Sequence, residues 1–404
     1  MIVNDPVFGF IEVEKGLLTQ LLRHPVMTRL TRIKQLGPSH YVYPGALHTR
    51  FAHSLGAMHL TGEAVRSLRE KGVKISEEER EGVEAAMLLH DVGHGPMSHT
   101  LEGEIMSGIR HEEVSLLLMK RLDRELGGRL GPAIEIYRDG YGRRFLHELI
   151  CSQIDMDRLD YLCRDSFFTG VREGNIGVGR IIKMLDVSDD RLVVKKKGIY
   201  TIENYLMARR LMYWQVYYHK TVMAASEILR LSLRRAKELA RRGAAPECPG
   251  ALKYFVVNDV DEAWRKEHGE WLDYYLALDD SDVLMAMKAW LGADDKILRL
   301  LAGDYIKRRL LKATELRQPC GEDELRRRRL EMAKKAGVTE EEASYLVVYR
   351  EIDQMLYSRH ANQIKFLLAA GQVEAIDAFS ELLATSFTDS PSRRYFVFSH
   401  RTDS

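Results

Sequence analysis

The segment SEEEREGVEAAMLLHD, Ser76 to Asp91, constrains the fold more than any other. Ser76 with Glu79 three residues on is a capping box, in which each side chain takes a backbone N–H that the first helical turn leaves unpaired. Val83, Ala86, Met87 and His90 then fall at i, i+3, i+4 and i+7, the spacing of one apolar helix face. A core-facing helix therefore ends on an imidazole and a carboxylate, His90 and Asp91. Adjacent helical residues project about 100° apart, so both reach the space beyond the helix end.

Two longer helical patterns follow. One is RRFLHELICSQIDMDRLDYLCRD; the other is NYLMARRLMYWQVYYHKTVMAASEILRLSLRRAKELARRG, closing at Gly243. Between them RLVVKKKGIYTI carries the Lys-Gly signature of a short hairpin. Nearer the end, RRLLKATEL, ASYLVVYR, QIKFLLAAG and RRYFVFSH read as strands, and EDELRRRRLEMAKKAG and AFSELLATSF as helices. Strand–helix–strand–strand–helix–strand is the order of a split βαβ unit. The expected class is mostly α: a helical bundle with a short β-hairpin and a small C-terminal α+β region. The expected divisions are a core over 1–245, a helical extension over 246–305 after the RRGAAPECPG loop, and the α+β region over 306–404.

With 404 residues, 45% hydrophobic and 29% charged at net charge +1, nothing global points to nucleic acid or membrane. The RRRR run at 326–329 reads as a solvated helix face. Cys151, Cys163, Cys248 and Cys320 lack CxxC spacing and read as reduced thiols. MIVNDPVFGF is not a secretory signal, and no apolar run approaches the roughly 20 residues of a membrane span. A cytoplasmic location is expected.

A His-Asp pair suits a borderline divalent cation such as Zn, Mn, Fe or Ni, but two ligands do not make a site, and alone the pair reads as structural. The chain offers the rest. HTRFAHS supplies His48, Arg50 and His53; QIDMDRLDYLCRD supplies Asp155, Asp157, Asp160 and Asp165; His94, His99 and His111 add three imidazoles. Asp157, Arg158, Tyr161 and Asp165 share one helix face, a lining suited to a polar ligand with a ring.

Through HTRFAHS, HDVGHGPMSH, RHEEVS and IDMDRLDY, and more weakly MYWQVYYHKTV, the chain resembles the HD-domain phosphohydrolase superfamily. Within it, the chain resembles the sterile-alpha-motif/HD-like deoxynucleoside triphosphate (dNTP) triphosphohydrolases. The resemblance covers roughly the first 230 residues. It implies an HD-domain bundle and one divalent metal ion (Mn, Fe, Zn, Ni or Mg) held by His53, His90, Asp91 and Asp157. His94, His99 and His111 would meet the triphosphate or act as acid and base beside Asp91. Arg50 and Arg158 would meet phosphate; Gln35, Leu36 and Asp165 would meet the sugar, with Tyr161 packed where a 2′-hydroxyl would clash. Arg210 and Tyr218 would meet phosphate and sugar or base, although YWQVYY reads equally well as aromatic core.

The implied reaction splits a dNTP into deoxynucleoside and tripolyphosphate. Alternatives are an HD phosphohydrolase acting on a monophosphate, cyclic nucleotide or alarmone, and a non-catalytic nucleotide or nucleic-acid binding protein. Arg158 stands where the family commonly has lysine, so charge is kept but the ammonium becomes a planar fork. Relatives assemble, so a homo-oligomer (dimer or tetramer) is expected, with LMYWQVYY as a contact surface. A nucleotide effector is left open, because RHPVMTRLTR departs from the vertebrate pattern.

Overall fold

The computed structural model describes residues 1–354, 363–376 and 392–401. Helices dominate, and the ones that build the site are α1 (Arg50–Glu70), α2 (Glu77–Leu89), α3 (His111–Glu125), α4 (Met156–Thr169), α5 (Ile199–Met212), α6 (Lys220–Arg241) and α7 (Asp280–Ala289). A later helix, α8 (Glu322–Ala336), carries the arginine run. The capping box forms as expected: Glu79 N–H donates to Ser76 Oγ at 3.1 Å, and Ser76 N–H to the Glu79 carboxylate at 2.7 Å. Val83, Ala86 and Met87 are buried, and so are Gly82, Ala85, Leu88 and Leu89 around the rest of the cylinder. α2 is therefore wrapped by neighbours, with α1 packed against it, and its last turn delivers His90 and Asp91 to the interior.

Both long helical patterns break within their length. The first stops at Ile150, turns through Cys151–Asp155, and restarts as α4 with the Asp155 carboxylate accepting from Arg158 N–H at 2.8 Å. The second divides at a π-helical turn, Tyr213–Tyr217, before α6. π-helical turns cluster at functional sites because they re-aim side chains.

Nine strands are described: β1 (Ile2–Asp5), β2 (Gly9–Glu12), β3 (Leu185–Ser188), β4 (Arg191–Lys195), β5 (Lys312–Leu316), β6 (Val347–Gln354), β7 (Lys365–Leu367), β8 (Val373–Ala375) and β9 (Ser392–Ser399). The expected hairpin exists one strand earlier than read. β3 and β4 pair antiparallel across Asp189-Asp190, both at positive φ (47° and 57°), while Ile199–Ile202 opens α5. Aspartates tolerate that conformation by hydrogen-bonding locally, so they replace the expected Lys-Gly turn.

The mostly α class and the C-terminal α+β region stand as expected, but the strand pairing is not that of a split βαβ unit. β9 lies between β5 and β6, antiparallel to both. β7 instead joins the hairpin, running parallel to β4, with β8 outside it. Phe366 on β7 is fully buried there, so core contact outweighs pairing with β6. The AFSELLATSF helix reading lies outside the described residues. On α8 the arginine run is a solvated face, with Arg327 and Arg328 paired to Glu324 and Arg326 to Glu340. Among the described residues no helix is long and apolar enough to cross a membrane.

α1 and α4 meet at Gly56, where an added Cβ would lie 2.0 Å from Asp160 Oδ1 and 2.1 Å from Arg164 Nη2. Those atoms form a fully buried ion pair and cannot swing aside, so Gly56→Ala forces the helices apart. Overpacking of this kind costs about 1–3 kcal/mol, which urea denaturation will read as a lowered midpoint with unchanged slope.

A second expectation concerns Glu84 on α2, whose carboxylate accepts from Arg80 at 2.9 Å. Burial pushes its pKa up to about 7 against the pull of Arg80, from an ordinary 4.5. Within that window the folded chain holds a proton that the unfolded chain has lost, so this group makes stability fall as pH rises through it. Glu84→Gln removes the titration and is expected to flatten the change in thermal midpoint across the window.

Candidate metal centre

His53 projects from the first turn of α1, His90 and Asp91 from the end of α2, and Asp157 from the first turn of α4. The structure brings all four together. His53 Nε2 lies 3.0 Å from Asp157 Oδ1 and 3.7 Å from Asp91 Oδ2. His90 Nε2 lies 3.5 Å from Asp157 Oδ1 and 3.4 Å from Asp91 Oδ1. Ligand atoms of His53, His90 and Asp91 fall within 4.8 Å of one another.

The outer contacts fix which nitrogen faces inward. His90 Nδ1 lies 2.6 Å from the Met87 carbonyl, which only accepts, so Nδ1 carries the proton and Nε2 presents a lone pair. That Nε2 is buried with no hydrogen-bond partner, as a ligand atom awaiting a cation would be. His53 Nδ1 is likewise held by Asp160 Oδ2 at 2.6 Å, and Arg164 donates to both oxygens of Asp160 and to Asp5 at 2.7 Å. A carboxylate behind a histidine in this way orients the ring and raises its basicity as a ligand. Burial opposes charge on His53, yet Asp157 and Asp160 raise its pKa to about 10. Burial pushes Asp157 upward, but His53 and His90 hold its carboxyl below the usual range. Two imidazoles and two carboxylates around one point suit a borderline divalent ion.

Next to this set stands a second group of imidazoles. Glu102 accepts from His99 Nδ1 at 3.0 Å and from His111 Nδ1 at 2.7 Å, so one carboxylate orients both rings and leaves Nε2 of each outside that contact. His94 Nδ1 lies 3.2 Å from Asp91 Oδ1, and its ring centroid is 3.8 Å from that of His111. Burial, then the charge of Arg50, holds the His94 pKa well below normal, so that ring is neutral.

The loop between Asp91 and His99 is shaped by close approach. A Cβ on Gly93 would lie 2.1 Å from the His111 carbonyl, and Ser115 Oγ accepts from Gly93 N–H at 2.9 Å while donating to the His90 carbonyl at 2.7 Å. Met97 and Ser98 both take positive φ, 57° and 52°. Left-handed backbone costs a non-glycine residue about 1–2 kcal/mol, so two in succession must be held there by their surroundings.

A cavity of about 630 Å³ opens beside the metal set. Of the expected substrate residues, Gln35, Leu36, Arg50, Tyr161, Asp165 and Tyr218 line it, as does His99. Arg50 pairs with Asp91 and donates from Nε to Ser98 Oγ at 2.8 Å. Gln35 Oε1 is buried without a partner. Asp165 is fixed by His48 Nε2 and by the Tyr217 hydroxyl, each at 2.7 Å. Arg158 is turned to Asp155, and neither it nor Arg210 lines the cavity. The neighbouring Arg209 is the inward cation, buried, donating to Gln153 at 2.8 Å, with its guanidinium 5.9 Å from the Tyr213 ring centre. Tyr213, Tyr217 and Tyr218 face the cavity, so the aromatic segment expected as an oligomer contact serves this wall.

Sequence reading assigned no role to Glu102, Arg209 or Tyr217, and offered Asp160 only as one of four candidate carboxylates for the metal site. Asp160 had a usable signal, four residues before Arg164 on one helix face; Glu102 had none, because its partners are distant loops.

Comparison with known proteins agrees with this geometry. The HD domain family matches residues 50–165, and the HD-associated region matches 176–245. A solved phosphohydrolase of Bacteroides thetaiotaomicron is 47% identical, superposes with a TM-score of 0.95, and covers 99% of this chain and 100% of its own. The uncharacterized YwfO of Bacillus subtilis is 33% identical over 78% of this chain and 72% of its own length. Human deoxynucleoside triphosphate triphosphohydrolase SAMHD1 is 27% identical over 81% of this chain, which spans only 56% of that protein. The chain belongs to the HD-domain phosphohydrolase superfamily. HD domains bind divalent metals, and the His/Asp cluster suits one.

Removing the carboxylate behind His53 tests the centre without touching a ligand. Asp160→Asn is expected to weaken divalent-metal affinity about 10- to 100-fold, read as metal retained after dialysis against graded chelator.

Proposed function

We propose that this chain is a metal-dependent hydrolase that cleaves dNTPs into deoxynucleoside and tripolyphosphate. One observation carries the reading: a single cavity is lined both by charge-handling groups, Arg50 and His99, and by polar and aromatic groups suited to a sugar. Arg50 and His99 stand beside the metal set, while Gln35, Tyr161, Asp165 and Tyr217 line the same space. The bound metal would supply Lewis acidity and a water of lowered pKa near neutral pH. His53, His90, Asp91 and Asp157 would hold it.

Arg50 and the neutral His94 face the region where negative charge accumulates during phosphoryl transfer, and preorganised donors there act most strongly because water is excluded. Attack at the α-phosphorus expels the nucleoside 5′-oxygen, a poor leaving group that needs a proton. His99 lines the cavity and His111 does not, so His99 is the acid in this reading: as the imidazolium, with Nδ1–H held by Glu102, it would give its Nε2 proton to the leaving oxygen and remain a neutral ring. Asp165, locked by His48 and Tyr217, keeps acceptor capacity for a sugar 3′-hydroxyl. The Tyr161 ring, 6.0 Å from that of Tyr217 and set edge-on to it, fills the space a 2′-hydroxyl would need.

Metal-loaded protein will be incubated with a panel of dNTPs, ribonucleotides, monophosphates and cyclic nucleotides, and the products separated by chromatography. Free deoxynucleoside and intact tripolyphosphate are expected; turnover of another nucleotide class with none of the dNTPs would overturn the reading. Tyr161→Ala is expected to erode discrimination between deoxy- and ribonucleotides by about 10-fold or more in kcat/KM, the scale set by relieving one steric clash.

A further inference from the structure

Tyr275 and Asp280 lie beyond both matched family regions, which end at residue 245. Their side chains nevertheless finish on the loops that carry the site. Asp280, 3% exposed, accepts Met97 N–H at 2.7 Å through Oδ1 and Lys34 N–H at 3.0 Å through Oδ2. The Tyr275 hydroxyl donates to the Gly93 carbonyl at 2.8 Å. Arg29, itself buried, sits 5.2 Å from the Tyr275 ring centre and reaches the Leu278 carbonyl at 2.9 Å and the Val92 carbonyl at 3.5 Å.

Two features make this more than packing. First, the amide that Asp280 holds belongs to Met97, the first of the two consecutive left-handed residues, where the backbone would otherwise relax. Second, the same carboxylate fixes Lys34, whose carbonyl accepts from Ser98 Oγ at 2.8 Å; that Oγ in turn accepts from Arg50 Nε at 2.8 Å. Asp280 thus ties the Gln35–Leu36 wall of the cavity to the His94–His99 loop and sets the oxygen that aims Arg50. The helix does not need Asp280 as its cap, because Asp279 and Asp282 already form a capping box there.

We propose that Asp280, assisted by Tyr275, is a positioning residue for hydrolysis: its carboxylate locks the two loops in the register that presents Arg50 and His99 to substrate. The inference rests on the hydrolytic function proposed above. An ionised or neutral carboxyl offers both amides an acceptor oxygen, whereas an asparagine turns an NH2 toward one of them.

Asp280→Asn and Tyr275→Phe will be compared with Trp290→Phe, which removes a buried hydrogen bond to the Glu247 carbonyl from the same segment without touching either loop. Amide hydrogen exchange, metal content, thermal midpoint and kinetics are read on each. Asp280→Asn is expected to speed exchange in both the Lys34–Leu36 and Val92–Ser98 segments and to lower kcat about tenfold or more, as misplacement of a catalytic group does, with metal content unchanged. Tyr275→Phe should show the same pattern confined to the Val92–Ser98 segment, and it decides the matter if Asp280→Asn does not fold. Trp290→Phe should lower the thermal midpoint while retaining kcat. The proposal is overturned if loop exchange stays at the wild-type rate, or if Trp290→Phe loses as much kcat at an equal fall in midpoint. Should the wild-type protein hydrolyse no nucleotide, the function fails instead, and loop exchange still judges the clamp.

Discussion

Asp160 joins the metal centre to the fold. Its carboxylate holds the His53 ring on one side and the Arg164 guanidinium on the other, and Arg164 continues to Asp5 beside the N-terminal hairpin. Such a network exists only because Gly56 lets α1 and α4 approach within the radius of a methyl group. Removing one member of a buried charge pair costs about 3–5 kcal/mol, since the remaining charge has neither water nor partner. The ligand geometry of His53 is therefore bound to the stability of the α1–α4 contact, and a change that loosens one loosens the other.

That dependence explains what could be read along the chain. The capping box at Ser76, the end of α2 at His90-Asp91, and the donor types of His53 and Asp157 are local signals, set by helical period and by residue chemistry. They survive into the structure because α2 and α4 are long enough to fix the direction of their side chains. The failures share a different cause. The break at Cys151–Asp155 and the π-helical turn at Tyr213 leave apolar periodicity intact on both sides, so a periodic reading runs straight through them. Arg210, expected to meet phosphate, does not line the cavity, and its neighbour Arg209 is the buried one of the pair. β7 pairs with β4 and β8 rather than with β6, a long-range choice that buries Phe366 and that the local pattern of QIKFLLAAG does not reveal.

Charge in the site is arranged in two separate sets, one buried around Asp91 and one nearer the surface around Glu102. Asp91 is shared by Arg50 and the metal-side imidazoles, while Glu102 serves His99 and His111. Burial alone would neutralise these carboxyls, but the neighbouring cations and imidazoles hold both well below the usual range. The two carboxylates therefore serve different neighbours, and no oxygen is shared between the His53–His90 set and the His99–His111 pair.

The far wall of the cavity comes from the other end of the chain. Arg350 of β6 donates to Glu227 on α6 at 2.8 Å, and Arg230 donates to the second oxygen of Glu227 at 2.6 Å. Glu227 is only 3% exposed, and the two guanidiniums occupy both of its oxygens. Arg350, Ile352 and Asp353 of β6 and Phe398 of β9 then face Gln35 and Tyr161 across the same space. That wall of the cavity is thus tied to the α6–β6 ion pair, whereas none of His53, His90, Asp91 and Asp157 lines the space it bounds.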